Sequence, residues 1–247
     1  MKKIILAFVL VINYAVMTNA QVKNIVIVHG AFADGSTWQD VFKILQAHGY
    51  NVSIVQNPLS SLEDDVAATQ RILDRQNGPC VLVGHSWGGS VITQAGVHSK
   101  VASLVYVAAF IPTAGESTFD LIKTVPPAPE NGILPPDENG YVYYDKEKFH
   151  AGFCADVSKD HAGFMWASQG PIAAKSFITP LTEAAWKTKP SWAIVATEDK
   201  SIDPGLERTM YKRAGSKVTE LTGSHVVFMS KSKEVAAVIE AAANGKQ

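Results

Sequence analysis

The strongest constraint on the fold is a set of short, unbroken apolar runs. Asn24-Ile25-Val26-Ile27-Val28, Cys80-Val81-Leu82-Val83, Val101 to Ala108 and Trp192-Ala193-Ile194-Val195-Ala196 show almost no polar alternation. A strand with one wet face alternates polar and apolar side chains, whereas a strand covered on both faces does not. Helical spacing lies between the runs. From Ser36 to about His48, Trp38, Val41, Phe42 and Leu45 recur on one face, with Ser36 placed as the cap. Ser61 opens a second helix to about Gln76, with Glu63 and Asp64 in its first turn, where the helix dipole favours acids. Gly88 to His98 reads as a third helix. Tyr50 to Val55 and Lys217 to Leu221 complete the strands, and Leu206 to Ala214 and Lys233 to Ala243 the helices. This alternation predicts an α/β fold: a mostly parallel, doubly wound sheet with helices on both faces and right-handed crossovers.

The rhythm fails between Pro112 and Pro190. Pro126, Pro127, Pro129, Pro135 and Pro136 crowd one loop there. The same stretch holds Phe119, Leu121, Tyr143, Phe149, Phe153, Phe164, Met165, Trp166 and Phe177, which together read as a lid over an apolar space. The expected layout is a core made of residues 21–111 and 190–247, interrupted by an inserted cap over 112–189. Phe119, Phe164 and Trp166 of the cap, with His29 and Phe32 from the core, are the expected substrate contacts.

Residues 1–20 stand apart. Lys2 and Lys3 precede an apolar stretch from Ile4 to Ile12, and Thr18-Asn19-Ala20 offers small residues at a cleavage site. This is the layout of a secretory signal peptide cut after Ala20, so the expected destination is the periplasm or the extracellular space. No other stretch is long and apolar enough to span a membrane. The net charge is −1, from 22 basic and 23 acidic residues, and losing two lysines with the leader leaves −3. Such a balance gives no basic surface for nucleic acid. Cys80 and Cys154 read as separate buried thiols, although an oxidising compartment would permit a disulfide. Asp156, Asp160 and His161 read as a solvated helix start and not as a metal cluster. No metal or cofactor is expected.

The run beginning at Cys80 continues as Gly84-His85-Ser86-Trp87-Gly88-Gly89. A serine contributes little to packing there, and the glycines cost conformational entropy. G-x-S-x-G between a strand and a helix is the sharp turn that thrusts a serine hydroxyl into the open. The N–H of Trp87, at the start of the helix, points toward the same space. A serine hydroxyl needs a base to take its proton, and that base is a histidine held by a carboxylate. In sheets of this kind the chain order is serine, acid, histidine. Four histidines follow Ser86: His98 in the third helix, His150 and His161 in the insertion, and His225 after the last strand. His225 is the expected base. Asp199, just beyond the Trp192–Ala196 run, is the favoured acid, with Asp203 and Glu198 as alternatives. The second oxyanion donor belongs to the loop after the first strand, His29-Gly30-Ala31-Phe32. Ala31 is assigned, with Phe32 the alternative by one residue.

HGAFADGSTW (29–38), GHSWGG (84–89), ATEDKSIDP (196–204) and GSHVVF (223–228), in that order and at those separations, resemble the α/β-hydrolase superfamily. More closely they resemble its small esterase branch of plant methylesterases, hydroxynitrile lyases and bacterial carboxylesterases. The resemblance covers nearly all of residues 23–243 and is weakest in the insertion. It implies Ser86, Asp199 and His225 as a triad, Ala31 and Trp87 as oxyanion donors, and the insertion as the family's cap. Hydroxynitrile lyases carry a threonine after the histidine matching His29 and a lysine after the catalytic histidine. Gly30 and Val226 stand at those positions here, which is esterase-like. Dehalogenases and epoxide hydrolases of the superfamily use an aspartate nucleophile, unlike Ser86.

The expectation is an exported serine hydrolase acting on carboxylic esters of small-to-medium apolar or aromatic substrates. Two alternatives stand beside it. One is a small-molecule receptor on a hydrolase scaffold with little turnover. The other is a lyase or acyltransferase using the same triad.

Overall fold

Burial accounts for the apolar runs. In the computed structural model, which describes residues 21–245, every residue of the runs starting at Asn24, Cys80 and Trp192 is buried. In chain order the elements are β1 (Asn24–Val28), α1 (Gln39–Ala47), β2 (Asn51–Val55), α2 (Leu62–Asp74), β3 (Cys80–Ser86), α3 (Trp87–Ala95) and β4 (Val101–Ala109). The insertion holds α4 (Thr118–Ile122), β5 (Tyr141–Val142), α5 (Lys146–Phe153), α6 (Lys159–Ala167), β6 (Ile172–Ala173) and α7 (Ala174–Ile178). The chain then returns through β7 (Ser191–Ala196), α8 (Pro204–Ala214), β8 (Lys217–Leu221), α9 (Val227–Ser230) and α10 (Ser232–Ala243). The signal-peptide expectation falls on residues 1–20, outside the described residues.

Six strands form one sheet in the order β2-β1-β3-β4-β7-β8, with every pairing parallel. The edge strands β2 and β8 are only partly covered, while the central strands are buried on both faces. The chain lays β2 on one side of β1 and then crosses to place β3 on the other. In open parallel sheets a ligand crevice forms beyond the carboxyl ends of the strands where the winding reverses. Here that is the space between the loops after β1 and β3. Among the described residues no helix is long and apolar enough to cross a membrane.

Several boundaries differ from expectation. β3 runs on to Ser86, because its pairing with β4 continues through His85↔Val107 and, after a register shift, Ser86↔Ala109. α3 stops at Ala95, short of His98. A tight 3-10 turn over Gly35–Trp38 precedes α1, and Asp34 caps it in place of Ser36, accepting the Ser36 N–H at 2.6 Å. Asp203 caps α8 by accepting the Leu206 N–H at 2.9 Å. Both cysteines are free and buried. Cys80 lies at the start of β3 and Cys154 at the end of α5.

The insertion builds a small core of its own. Tyr141↔Ala173 and Val142↔Ile172 pair antiparallel. Tyr144, Phe149 and Phe153 meet at ring separations of 4.9–5.5 Å. The Phe153 ring continues that cluster onto the His225 ring at 5.1 Å. The Phe32 N–H also donates to the Gly170 carbonyl at 3.2 Å. The insertion therefore rests on the carboxyl ends of the strands.

Candidate active site

β3 passes into α3 with no intervening loop, and Ser86 is the joint. Its φ of 53° and ψ of −122° lie in a region that L-residues avoid. The surroundings hold it there. A Cβ on Gly88 would lie 2.5 Å from the Val28 carbonyl oxygen, and one on Gly30 would lie 2.7 Å from Ser86 Cβ. The elbow and the loop after β1 touch backbone to backbone, which only glycine allows.

The Ser86 Oγ and His225 Nε2 are 2.8 Å apart, and His225 Nδ1 lies 2.6 Å from Asp199 Oδ2. The other Asp199 oxygen accepts the N–H groups of Ser201 and Ile202 at 2.7 and 2.9 Å. All three side chains are buried, with Ser86 exposed by 7 % and His225 by 1 %. With Asp199 accepting the Nδ1–H of His225, the Nε2 lone pair faces the serine hydroxyl. That arrangement can remove the hydroxyl proton and return it later. The alternative acids are elsewhere: Glu198 is exposed, and Asp203 is exposed and spent on its helix cap. So are the other histidines. His98 bonds Asp74 at 3.1 Å, His150 bonds the Val157 carbonyl at 2.9 Å, and His161 is exposed.

Two backbone donors border the same space. The Trp87 N–H is the first of α3 and has no carbonyl one turn behind it. The Ala31 N–H has no partner among the described residues either, whereas the Phe32 N–H is occupied by Gly170. Of the two, Ala31 is thus the residue with an N–H to spare. The Trp87 indole is anchored from behind, its Nε1–H donating to Asp65 Oδ2 at 2.7 Å, while Asp65 Oδ1 accepts the Leu59 N–H at 2.8 Å. Burial pushes the Asp65 carboxyl up to about 6, against the opposing pull of those two bonds.

A cavity of about 1180 Å³ opens over Ser86 and His225. Ala31, Phe32, Trp87, Phe119, Phe153 and Phe177 are among its walls. Phe32 and Phe119 thus stand where a substrate contact was expected. Three expected contacts do not. His29 lies behind the oxyanion loop, with Nδ1–H donating to the Gly30 carbonyl and Nε2 accepting the Asn57 N–H at 2.9 Å. Both ring nitrogens are spent on backbone, and burial holds the ring below its ordinary pKa. Phe164 is 67 % exposed on the outer face of α6, because Ala162 and Met165 occupy the inward face. Trp166 donates its Nε1–H to the Tyr144 carbonyl at 3.1 Å and carries Lys146 over its ring, which braces the turn between β5 and α5.

Three residues to which sequence reasoning gave no part in the site, His85, Asp156 and Glu207, stand behind it. His85 donates Nε2–H to the His225 carbonyl at 2.9 Å, tying the elbow to the histidine loop. Burial holds its pKa far down, so it stays neutral. Asp156 was expected in a solvated helix start. It is exposed, but it accepts from the Ser224 N–H at 2.9 Å, from the Ser224 hydroxyl, and from the Ser230 hydroxyl at 2.6 Å. The insertion thereby grips the residue before His225. Glu207 is fully buried on α8 and accepts the Ala196 N–H at 3.1 Å. The only signal for Glu207 in the sequence is an acid among apolar neighbours on the helix following Asp199.

Residues 25–238 match a family model described as the alpha/beta hydrolase family. A carbendazim-hydrolysing esterase of Nocardioides sp. (strain SG-4G) is 29% identical over 177 residues, covering 66% of this chain and 65% of that protein. Putative methylesterase 11, chloroplastic, of Arabidopsis thaliana is 24% identical over 248 residues, covering 87% of this chain and 62% of that protein. The chain spans less than two thirds of the length of either relative. A solved pyrethroid hydrolase from Sphingobium faniae JZ-2 has the same fold, with a TM-score of 0.75 at 24% identity over 91% of this chain and 98% of that one.

Proposed function

The chain belongs to the alpha/beta hydrolase family, and from that premise we propose that it is an exported serine carboxylesterase. Its substrates are esters with small-to-medium apolar or aromatic groups. The observation that carries the reading is the unbroken line of short contacts from Ser86 Oγ through His225 to Asp199. Relatives named for hydrolysing carbendazim and as a methylesterase support the hydrolase reading. The export half rests on the charged, apolar and small-residue segments of residues 1–20.

Ser86 attacks the ester carbonyl carbon as His225 Nε2 takes the hydroxyl proton. Asp199 holds the imidazole in orientation and stabilises its charged form. The N–H groups of Ala31 and Trp87 receive the oxyanion, each worth on the order of 3 kcal/mol to the transition state. The imidazolium gives its proton to the leaving alkoxide, and the alcohol departs from an acyl-Ser86. A water then loses a proton to His225 and attacks the acyl carbon. The proton returns to Ser86 Oγ as the carboxylic acid leaves.

Hydrolysis of p-nitrophenyl acetate, butyrate and octanoate, run beside Ser86→Ala, tests the reading. Repeated turnover in the wild type, lowered by roughly six orders of magnitude in the variant, is expected. A single burst, or no release of product by the folded wild type, would move the assignment to a receptor. Transfer of the acyl group to an added alcohol in preference to water would move it to an acyltransferase.

A further inference from the structure

Glu207 is a buried acid that the mechanism above leaves idle. Its side chain is 0 % exposed. One oxygen accepts the Ala196 N–H, and the other finds no donor among the described residues. Asp199 is brought beside it at the end of β7: Glu207 takes the Ala196 N–H, and the Ala196 carbonyl takes the Asp199 N–H at 3.1 Å, so the charge of Asp199 acts on Glu207. Asp199 has already committed both oxygens as an acceptor, to His225 on one side and to Ser201 and Ile202 on the other. Two bare carboxylates cannot share so dry a site, because like charges at contact distance repel strongly where water is excluded. Asp199 takes three N–H donors and Glu207 only one, so a proton shared between the two carboxyls belongs to Glu207.

The titratable and charged groups around Glu207 agree with that assignment. Asp199 faces it from the loop after β7, while Arg208 and Tyr211 come from its own helix. Arg208 is turned outward onto Glu220, with bonds of 2.8 and 2.7 Å. The Tyr211 hydroxyl donates to the Ala109 carbonyl at 3.1 Å and accepts the Ala109 N–H at 2.8 Å. Among the described residues no cation is left to balance a second negative charge. Burial, and then the charge of Asp199, hold the Glu207 carboxyl far above its ordinary value.

We propose that Glu207 is a positioning residue that carries a proton and donates it in a hydrogen bond to Asp199, behind His225. This rests on the reading of Asp199 as the triad acid. The bond fixes the rotation of the Asp199 carboxyl. It also withdraws part of its charge, and so sets how firmly His225 holds a proton. A buried hydrogen bond to an ionised group is strong, and losing the donor leaves that group underserved.

The first measurement is the infrared spectrum of the full-length wild type against Glu207→Gln at about pH 8, where Asp65, at about 6, has ionised. The wild type should show the carbonyl band of a protonated carboxylic acid, and the variant should lose it. The second is the pH profile of kcat/KM. Glutamine can still accept from Ala196 and donate to Asp199, so its acid limb should stay in place. Glu207→Leu cannot donate, so Asp199 should hold the imidazolium more tightly. The acid limb should then move to higher pH, with kcat/KM down by roughly tenfold or more.

Absence of the band, or an acid limb moving to lower pH in Glu207→Gln, would mean that Glu207 is ionised and overturn the proposal. A leucine variant that folds with the wild-type profile would reduce the residue to packing and overturn it equally. If leucine does not fold, the infrared result and the glutamine profile still decide. The infrared band does not depend on turnover, so it separates a failure here from failure of the serine mechanism, which Ser86→Ala tests directly.

Discussion

Gly30 has no side chain because Ser86 has no space to yield. A Cβ there would come within 2.7 Å of Ser86 Cβ and 3.0 Å of His85 Nδ1. Gly30→Ala should therefore displace the nucleophile or the loop bearing Ala31. The expected loss in kcat/KM is on the order of 100-fold, from misplacement alone; wild-type kinetics with an unchanged circular dichroism spectrum would refute it. Asp65 makes a prediction about stability. The folded protein holds its proton up to about 6, whereas an ordinary aspartate releases it near 3.8. Once ionised, the buried carboxyl opposes folding. The cost is nil below the lower value and reaches about 3 kcal/mol above the upper one. Urea unfolding of wild type and Asp65→Asn should show wild type losing ground to the variant as pH rises through that window. A constant difference would exclude the effect. What was legible at single residues was that Ser86, Asp199 and His225, each at or just beyond a strand end, would be brought together, as they are. His29 and Trp166 were misread because a polar ring near a site is as readily spent on backbone as on substrate. Glu207 stayed hidden because its partners, Ala196 and Asp199, face it only after α8 folds back on β7.

At the scale of elements, the loop that presents His225 is held by its own backbone, the Val227 N–H on the Ser224 carbonyl at 3.0 Å, and from three sides: by the Glu198 N–H at the Gly223 carbonyl, by His85 of β3 at the His225 carbonyl, and by Asp156 of the insertion at Ser224 and Ser230. Burial works to raise the Asp156 carboxyl, but the bonds from Ser224 and Ser230 outweigh it and hold it below 3.8. The depressed value means the ionised tether is in force above that pH and is lost only as pH falls below it. Asp156→Ala should loosen the histidine loop and lower kcat/KM by roughly tenfold, chiefly through kcat. Asp156→Asn, which keeps one acceptor, should fall between. Equal kinetics for alanine and wild type would show that the remaining anchors suffice. The core elements were legible because burial on two faces leaves a mark in composition that needs no partner to interpret. The insertion was not, since β5 and β6 are two residues each and are held by contacts between distant stretches. The α5 segment, Lys146–Phe153, carried a usable signal that the sequence reading passed over, since Asp145 caps it and Phe149 and Phe153 repeat at helical spacing.

The whole molecule is a sheet that carries Ser86, Asp199 and His225 at and beyond its strand ends and an insertion that adds Phe119, Phe153 and Phe177 to the cavity walls. The cavity, about 1180 Å³, is generous for an acetyl ester. KM for p-nitrophenyl esters should fall from acetate to octanoate, by up to roughly fourfold per methylene. Of the three lysines on the cavity wall, Lys123 is paired with Asp120 at 2.7 Å, Lys148 is spent on the Pro129 and Asn131 carbonyls, and Lys200 shares its stretch of wall with the acids Asp199 and Asp203. A dicarboxylate monoester should therefore be a poorer substrate than a neutral ester of equal size, and comparable rates would contradict the apolar preference. The two-layer design also gives the two free thiols a use. One sits in each layer, Cys80 under the sheet and Cys154 under the insertion, and burial pushes both up to about 12. Neither can react with a maleimide until its own layer opens. They are two clocks built into one chain: labelling of Cys154 times the breathing of the insertion, and labelling of Cys80 times loss of the entire fold. Cys154 should run the faster of the two, and substrate analogues that bridge the layers should slow it toward the pace of Cys80.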